Sequence, residues 1–230
     1  TSSLFKIIKD KDKEKEIKKH LNTPLVLKKQ NQKFSDANYS IVKKNLTLIQ
    51  DKKVFIKPNF ILNNLIKYLY KNNMLPAICF VFSRYRVEKY AKMINVNLFD
   101  YDDAHIPSII RRDCEQIIRK LPNAQEYLDL PEFNELVSLL EKGIAIHHAG
   151  IMPILREMVE LTFAKGYIKV LFATETFAVG LNMPTKTVIF TSMNKHSSDG
   201  IRDLHSHEYT QMAGRSGRRG KKHNAKIERL

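Results

Sequence analysis

Two arginines near the end of the sequence have the types and spacing of a phosphate-binding pair. Arg215 and Arg218 lie three residues apart in the segment Gln211–Gly220, which reads QMAGRSGRRG. On a helical turn this spacing directs both side chains to one side, and Gly214 and Gly217 leave that side free of bulk. A guanidinium is permanently charged and matches phosphate oxygens, so the pair suits charge stabilisation during phosphoryl transfer. Taken alone, the segment also fits a basic, solvated loop.

The composition and cysteine usage indicate a soluble intracellular protein. The 230 residues, 43% of them hydrophobic, suffice for one large domain or two small ones. Cys79 and Cys114 show no pairing pattern and are predicted to be reduced thiols. The longest apolar run, around Ala77–Phe82, is too short to span a bilayer, and the N-terminus has no secretory signal. We therefore expect an intracellular location, cytoplasmic or nuclear, and no membrane partner.

Positive charge is concentrated at the two ends of the chain. The formal net charge is +15, and residues 1–57 hold 15 Lys against 6 acidic residues. Residues 211–230 hold 7 basic residues against 1 acid, whereas residues 58–210 hold 17 of each sign. This distribution predicts general affinity for polyanions without sequence specificity. Residues 1–57 are interpreted as a basic linker or arm, and residues 221–230 as a basic tail.

Four short apolar runs separated by helical patterns predict an α/β fold with a parallel sheet. The runs have strand length and no polar alternation, which is typical of strands covered on both faces. They are Ala77–Phe82, Gly143–His147, Lys169–Ala173 and Thr187–Thr191. Apolar residues recur at helical spacing from Phe60 to about Asn72, around 87–94 and around 154–163. Strands that alternate with helices specify a parallel sheet flanked by helices.

Two regions depart from this alternation. Residues 97–142 begin with the acidic loop Asp100–Asp103 and continue through helical segments around Ile109–Lys120 and Glu132–Glu141. We interpret 97–142 as a helical insertion packed on one edge of the sheet, without a motif that carries chemistry. The stretch from Asn31 to Lys57 has a mixed pattern, in which Val54–Ile56 could form a short strand.

Polar residues with phosphate-binding chemistry follow each predicted strand. The carboxyl ends of parallel strands lie at one edge of a sheet, where ligands bind in open α/β folds. The segments that follow the four strands are Ser83–Arg86, His147–Gly150, Thr174–Asn182 and Ser192–His196. Hydroxyls, cations and backbone N–H groups of these types contact phosphates without reading bases. Together with the arginine segment, they predict one ligand-binding edge.

Single residues of this set have competing interpretations. His147 and His148 would be metal ligands only with further ligands, and adjacent residues on a strand point to opposite faces, so we predict no metal site. One of the two histidines is expected to be buried and hydrogen-bonded. Glu175 is either a general base or a residue that orients its loop. Thr174 and Thr176 either contact phosphates or cap a helix.

Three segments in order resemble a known family. They are FVFSRYRVEKYA, GIAIHHAGIMPILREMVELTFAKGYIKVLFATETFAVGLNMPTKTVIFTS and EYTQMAGRSGRRG. The sequence is similar to the second RecA-like domain of superkiller-type DExH-box helicases of superfamily 2, over roughly residues 76–220. The resemblance implies a RecA-like sheet and a helicase C-terminal domain over residues 58–220.

The resemblance also implies roles for particular residues. Gln211, Arg215 and Arg218 would approach the γ-phosphate of ATP, with Arg218 as the arginine finger, and Gly180 and Asn182 would belong to the nucleotide side of the groove. The residues that would lie near the nucleic acid are Ser83, Arg84, His148, Gly150, Thr174, Glu175, Thr176 and Thr191.

The family's first RecA-like domain has no counterpart in this sequence. There is no G-x-x-x-x-G-K-[ST] phosphate loop and no Asp-Glu-x-His box. Those elements supply the lysine and the carboxylate that hold the phosphates and Mg²⁺. We therefore expect a fragment of a longer protein, which does not hydrolyse ATP alone and is connected to a first RecA-like domain by residues 1–57.

The choice of RNA as partner rests on one short segment. The DNA-unwinding branch of the larger group tends to carry Thr-Pro-Thr where this sequence has Thr174-Glu175-Thr176. The resemblance therefore implies ATP-driven unwinding of RNA, single-stranded or duplex with an overhang. A DNA helicase or translocase of the same superfamily is one alternative. A non-catalytic RNA-binding scaffold is another, although it would not need Gln211, Arg215 and Arg218.

Overall fold

The structure is a computed structural model that describes residues 25–27, 33–51, 57–99, 104–178, 185–197, 200–214 and 226–229. The chain divides into two compact units, Thr1–Lys57 and Pro58–Leu230. The first unit contains helix α1, Asp36–Asp51. The mixed pattern of this stretch did not predict that helix. It begins after Ser35, whose hydroxyl accepts a hydrogen bond from the backbone N–H of Asn38 at 3.3 Å, as helix-capping serines do. The strand expected at 54–56 lies outside the described residues.

The second unit contains the sheet and most of the helices. In chain order its elements are α2 Pro58–Lys71, β1 Ala77–Phe80, α3 Arg84–Lys92, α4 Ile106–Ile118, α5 Ala124–Leu128, α6 Pro131–Leu140, β2 Ile144–His147, α7 Pro153–Ala164, β3 Val170–Ala173, a 3₁₀-helix Glu175–Ala178, β4 Thr187–Phe190, β5 Asn194–Ser197, β6 Gly200–Asp203, α8 Ser206–Ala213 and β7 Lys226–Arg229.

Five strands form one sheet in the order β2-β3-β1-β4-β7, and each pairs with its neighbours in parallel. The strands are in phase, so that Ala77 of β1 lies opposite Val170 of β3 and Thr187 of β4. Strands β5 and β6 form a separate antiparallel hairpin. The predicted α/β fold with a RecA-like parallel sheet flanked by helices is confirmed.

Both faces of the sheet are covered, which explains the continuous apolar runs. Alternate residues of β1 belong to different clusters: Ile78 and Phe80 pack in one, Ala77 and Cys79 in the other. The first cluster includes apolar residues of α4, α6 and α7, and the second includes those of α2 and α3. A strand enclosed in this way has no face left for polar side chains.

The helical insertion contributes to the core as well as to an edge. Helix α6 packs against β2, the edge strand of the sheet, as the predicted position requires. In addition, Ile110, Cys114 and Ile118 of α4 are fully buried in the cluster on one face. Their spacing of four residues places all three on one side of the helix. The Arg111 guanidinium joins Glu141 through two hydrogen bonds of 2.6 and 3.2 Å, which ties α4 to the end of α6.

The end of the chain differs from the predicted basic tail over four residues. Lys226–Arg229 forms β7, which pairs in parallel with β4 at the edge of the sheet. Its sequence, KIER, has one apolar residue and no strand-like run. Edge strands accept charged residues, and backbone hydrogen bonds supply the pairing, so hydropathy does not reveal this strand.

Cys79 and Cys114 are free and buried, and burial raises the pKa of each thiol to about 12. Neither therefore carries thiolate at neutral pH.

Within the part of the chain that the structure describes, no helix combines the length and the apolar character needed to cross a bilayer.

Candidate functional site

The loops predicted to carry chemistry follow β1, β2, β3 and β4 and therefore leave one edge of the sheet. Ser83 ends the loop after β1 and begins helix α3. Its extended backbone and its hydroxyl, which accepts from the N–H of Arg86 at 3.4 Å, are those of an N-cap. Arg84 is the first residue of α3 and is exposed, so its guanidinium is open to a ligand at this edge.

Three of the predicted residues meet beside the start of α3. The backbone N–H of Gly150 donates to Nδ1 of His148 at 3.1 Å. A Cβ on Gly150 would lie 3.5 Å from Arg84 Cδ, an ordinary contact, but only 3.1 Å from His148 Nδ1, so a larger residue would press on the His148 ring. His148 Nε2 lies 3.1 Å from Glu88 Oε1 on α3. Arg84, His148 and Gly150 therefore form one compact group, and Glu88 is in contact with its histidine.

His147 points to the other side of the strand, into the core. Its Nε2 lies 3.0 Å from Glu160 Oε1 on α7, and its ring meets Phe177 edge-on at 4.8 Å. His147 is thus buried and hydrogen-bonded, but His148 is buried as well, at 2% exposed against 5% for His147, so both histidines are buried and not only one of them. No group of three His, Cys, Asp or Glu residues that could hold a metal ion occurs among the described residues.

Burial lowers the pKa of both His147 and His148, and the neighbouring Glu160 and Glu88 offset this only in part. A folded-state pKa below the ordinary value of about 6.5 means that the unfolded chain binds more protons. We therefore expect the free energy of unfolding to be retained above pH 6.5 and to fall as the pH is lowered below it. Urea unfolding of the chain between pH 7.5 and 5.5 measures this slope.

Two histidine-to-glutamine variants, one a test and one a control, identify the cause of this pH dependence. His147→Gln removes a buried titrating group and should flatten the slope. His207→Gln replaces an exposed histidine and should keep the wild-type slope. Equal slopes in all three proteins would show that His147 does not cause the pH dependence.

Two predicted threonines are held by the sheet itself. Thr174 is only 7% exposed, and its backbone N–H donates to the carbonyl of His147 at 3.1 Å. The hydroxyl of Thr191 donates to the carbonyl of Phe80 at 3.0 Å. Because that proton is committed, the Thr191 oxygen can accept a hydrogen bond from a ligand but does not donate one. These threonines are parts of a rigid edge.

Glu175 belongs to a second group, on the side of helix α8. Lys195 Nζ of strand β5 lies 3.5 Å from Glu175 Oε1 and 2.7 Å from Glu208 Oε1. Glu208 also receives the guanidinium of Arg202 on β6 at 2.8 and 2.9 Å. Glu175 was interpreted either as a general base or as a residue that orients its loop. Its ion pair with Lys195 supports the second interpretation.

Helix α8 brings Gln211 to the same edge. Tyr209 of α8 stacks on Phe190, the last residue of β4, with ring centroids 5.2 Å apart, and Met212 is buried in the core. The helix also packs against the 3₁₀-helix Glu175–Ala178. Gln211 remains exposed between these contacts. Its amide is thus presented to solvent from a helix that is fixed at the carboxyl ends of β3 and β4.

The remaining predicted site residues lie at or beyond the limits of the described segments. Thr176 lies in the 3₁₀-helix after β3. Gly180, Asn182, Arg215 and Arg218 lie outside the described residues. Sequence reasoning had placed all site residues at one edge without subdivision. The structure divides the described ones into a group beside α3 and a group beside α8.

Three partners of the site were missed by sequence reasoning. Glu88 contacts His148, Glu160 contacts His147, and Glu208 holds Lys195 and Arg202. Of these three acids, only Glu208 has a sequence pattern that indicates its role. It stands three residues after His205, at the N3 position of α8, where glutamate commonly accepts from the N-cap backbone; that bond is present at 2.9 Å.

The donor chemistry at this edge fits a nucleotide better than it fits a divalent cation. The exposed amide of Gln211 lies at the end of α8, directly before the arginine segment 215–218. Amide and guanidinium N–H groups complement phosphate oxygens. Mg²⁺ takes carboxylate and other oxygen ligands, and the described residues offer no cluster of that kind. The described edge therefore fits phosphate oxygens, such as those of a nucleotide, rather than a Mg²⁺ ion.

Comparison with known proteins gives concordant matches. Residues 121–220 match the family described as helicase conserved C-terminal domain. The antiviral helicase SKI2 of Saccharomyces cerevisiae is 49% identical over 157 residues, 68% of this chain. Superkiller complex protein 2 of Homo sapiens is 40% identical over 171 residues, 74% of this chain, and exosome RNA helicase MTR4 of Mus musculus is 40% identical over 156 residues, 68% of this chain.

The matched regions span only 12%, 13% and 15% of those three proteins, respectively. The matches nevertheless agree with the ordered segments and with the parallel sheet. The resemblance inferred from the sequence is confirmed: residues 121–220 form a helicase conserved C-terminal domain, and the chain belongs to the superkiller-type DExH-box RNA helicases.

Proposed function

We propose that this chain is the second motor domain of an ATP-dependent RNA helicase. The observation that carries the proposal is the position of α8, which presents Gln211 at the carboxyl edge of the sheet, beside the loop after β3. The same helix leads into the arginine segment 215–218. Residues suited to a nucleotide and residues suited to a nucleic-acid backbone therefore belong to one edge.

On the nucleotide side, this domain completes a site that a first RecA-like domain begins. ATP would supply the phosphoryl group, and Mg²⁺ held by the first domain would neutralise part of its charge. Gln211 and Arg215 bind and orient the γ-phosphate, and Arg218 acts as the arginine finger. Gly180 and Asn182 line the groove between nucleotide and RNA.

On the RNA side, contacts are made to the backbone. Arg84 is an exposed cation, Ser83 and Gly150 lie around it, and the buried His148 packs beneath them. Thr174, Glu175 and Thr176 form the loop between RNA and nucleotide. Such contacts give low sequence specificity and a strong dependence on salt.

Thr191 favours RNA over DNA as the partner. Its hydroxyl proton is donated to Phe80, so its oxygen offers only an acceptor to a ligand. A phosphate oxygen cannot use an acceptor, whereas a ribose 2′-hydroxyl donates to one. This arrangement suits a ribose better than a deoxyribose.

The test is ATP hydrolysis by the full-length protein with single-stranded RNA, with single-stranded DNA and without nucleic acid. We expect RNA to stimulate turnover more than DNA does, and the 230-residue chain alone to show no turnover. The affinity for single-stranded RNA should fall steeply between 50 and 200 mM salt, by roughly 300-fold if about six phosphates are contacted.

The other outcomes select the alternatives. Equal stimulation by DNA would favour a DNA helicase or translocase. RNA binding without turnover by the full-length protein would favour a non-catalytic scaffold. Turnover by residues 1–230 alone would contradict the need for a first RecA-like domain.

A further inference from the structure

Four donor atoms from three places in the chain converge on the carboxylate of Glu208. Lys195 Nζ lies 2.7 Å from Oε1, and the two terminal nitrogens of Arg202 lie 2.8 Å from Oε1 and 2.9 Å from Oε2. The backbone N–H of His205 donates to Oε2 at 2.9 Å. One acid thus joins β5, β6 and the first turn of α8. Its side chain is only 17% exposed, so solvent weakens these contacts less than at an open surface.

The hairpin places two cations where they would repel each other. Lys195 and Arg202 are direct cross-strand partners in the β5–β6 register. Like charges at directly opposite positions destabilise an antiparallel pair. Glu208 contacts both and supplies the compensating charge. The hairpin is therefore tied to α8 by charge balance, because Glu208 is the acid that contacts both cations.

Lys195 extends the connection to the loop after β3. Its ammonium lies between Glu208 on α8 and Glu175 in the 3₁₀-helix, and it is only 15% exposed. The 3₁₀-helix also packs against α8. Two acids and two cations therefore alternate as Glu175–Lys195–Glu208–Arg202, with no net charge left over. We call these four residues the α8 charge network.

We propose that Glu208 is a positioning residue, which through the α8 charge network holds the Gln211 segment in register with the loop after β3. This inference rests on the proposed function, because it assigns that loop to RNA and Gln211 to the nucleotide. Glu208 stands one helical turn before Gln211, so a change at the start of α8 moves the amide. Arg202, and after it Lys195, lower the pKa of Glu208 well below its usual range, so the carboxylate stays ionised.

The deciding variant is Glu208→Gln in the full-length protein. Glutamine keeps the size of the side chain and still suits the N3 position of a helix, but it removes the charge that balances the two cations. We expect RNA-stimulated kcat to fall by about tenfold. The KM for ATP and the Kd for RNA should change less than about twofold, because Glu208 touches neither ligand. Lys195→Met should lower kcat by a similar factor. The double variant, Glu208→Gln with Lys195→Met, should have a kcat little lower than that of either single variant.

The matched control is Glu141→Gln. Glu141 holds the Arg111 guanidinium in an equivalent two-bond pair within the helical insertion. This variant should keep the wild-type kcat. Urea midpoints of both variants separate positioning from unfolding, since a positioning role predicts similar midpoints but unequal kcat values.

Each outcome bears on a different statement. If the wild type is stimulated by RNA but Glu208→Gln has the same kcat as Glu141→Gln, the positioning role is wrong while the proposed function stands. If Glu208→Gln lowers the urea midpoint together with kcat, the loss of kcat reflects unfolding. That result would show a merely structural role for Glu208 and would also overturn the positioning role. If RNA does not stimulate the wild type, the proposed function fails, and the inference falls with it.

Discussion

Replacing Arg218 with alanine in the full-length protein is expected to lower RNA-stimulated ATP turnover by about 10³–10⁵-fold, the effect of an arginine finger in other phosphoryl-transfer enzymes. The physical reason is the loss of a permanent, forked cation at the point where negative charge develops. RNA binding should persist, because Arg218 is assigned to the nucleotide. Steady-state ATP hydrolysis and RNA titration of the same protein measure the two properties.

The neighbouring Arg219 provides the matched control. Arg219→Ala removes the same charge from the adjacent position in the sequence and should leave turnover near the wild-type value. Arg218→Lys keeps the charge but loses the fork, so it should restore only part of the rate. A loss of equal size in Arg218→Ala and Arg219→Ala would indicate a general electrostatic effect of the segment and would contradict a finger at Arg218.

A second large effect is expected at Phe190, the last residue of β4. Phe190 is 1% exposed and packs between Phe80 of β1 and Tyr209 of α8, with ring centroids 5.8 and 5.2 Å away. Phe190→Ala should lower the free energy of unfolding by about 3–5 kcal/mol, as phenylalanine-to-alanine changes in packed cores do. That is a large part of the roughly 5–15 kcal/mol that stabilises a typical domain.

The same substitution at an exposed phenylalanine is the control. Phe60 on α2 is 57% exposed, and Phe60→Ala should change the free energy of unfolding by less than about 0.5 kcal/mol. Urea unfolding of the 230-residue chain at pH 7.5 measures both. Comparable losses in the two variants would mean that Phe190 is not part of a tightly packed core.

Phe190→Ala also affects the candidate site through helix α8. Without the ring of Phe190, Tyr209 loses the surface on which it stacks, and Gln211 lies two residues further along the same helix. Packing at this point therefore serves both the stability of the sheet and the placement of the site. The α8 charge network lies in the same helix, at Glu208.

The central strands were predictable because each carries its own signal. Ala77–Phe80, Val170–Ala173 and Thr187–Phe190 are strands buried on both faces, so almost every residue is apolar. Helices α4 and α6 were predictable for a similar reason, since their buried residues recur at helical spacing. The order of the functional segments along the sequence was enough to indicate the family.

Elements without a hydropathy signal were missed. Helix α1 has polar residues on most positions, and its pattern did not predict a helix between Asp36 and Asp51. Strand β7 contains one apolar residue, and only pairing with β4 makes Lys226–Arg229 a strand. In both cases local sequence is compatible with several conformations, and propensity alone does not choose between them.

The sequence by itself determined which residues could bind phosphate, that they follow parallel strands, and which family they resemble. Only the tertiary structure decided how they are held. It turns His147 into the core and His148 towards Glu88, commits the Thr191 proton to Phe80, and places Lys195 between Glu175 and Glu208. The physical reason is that strand and helix periodicities are local properties of the sequence. These ion pairs and hydrogen bonds join residues that are far apart in the sequence. Only the packing of α8, the hairpin and the sheet brings those residues within contact distance.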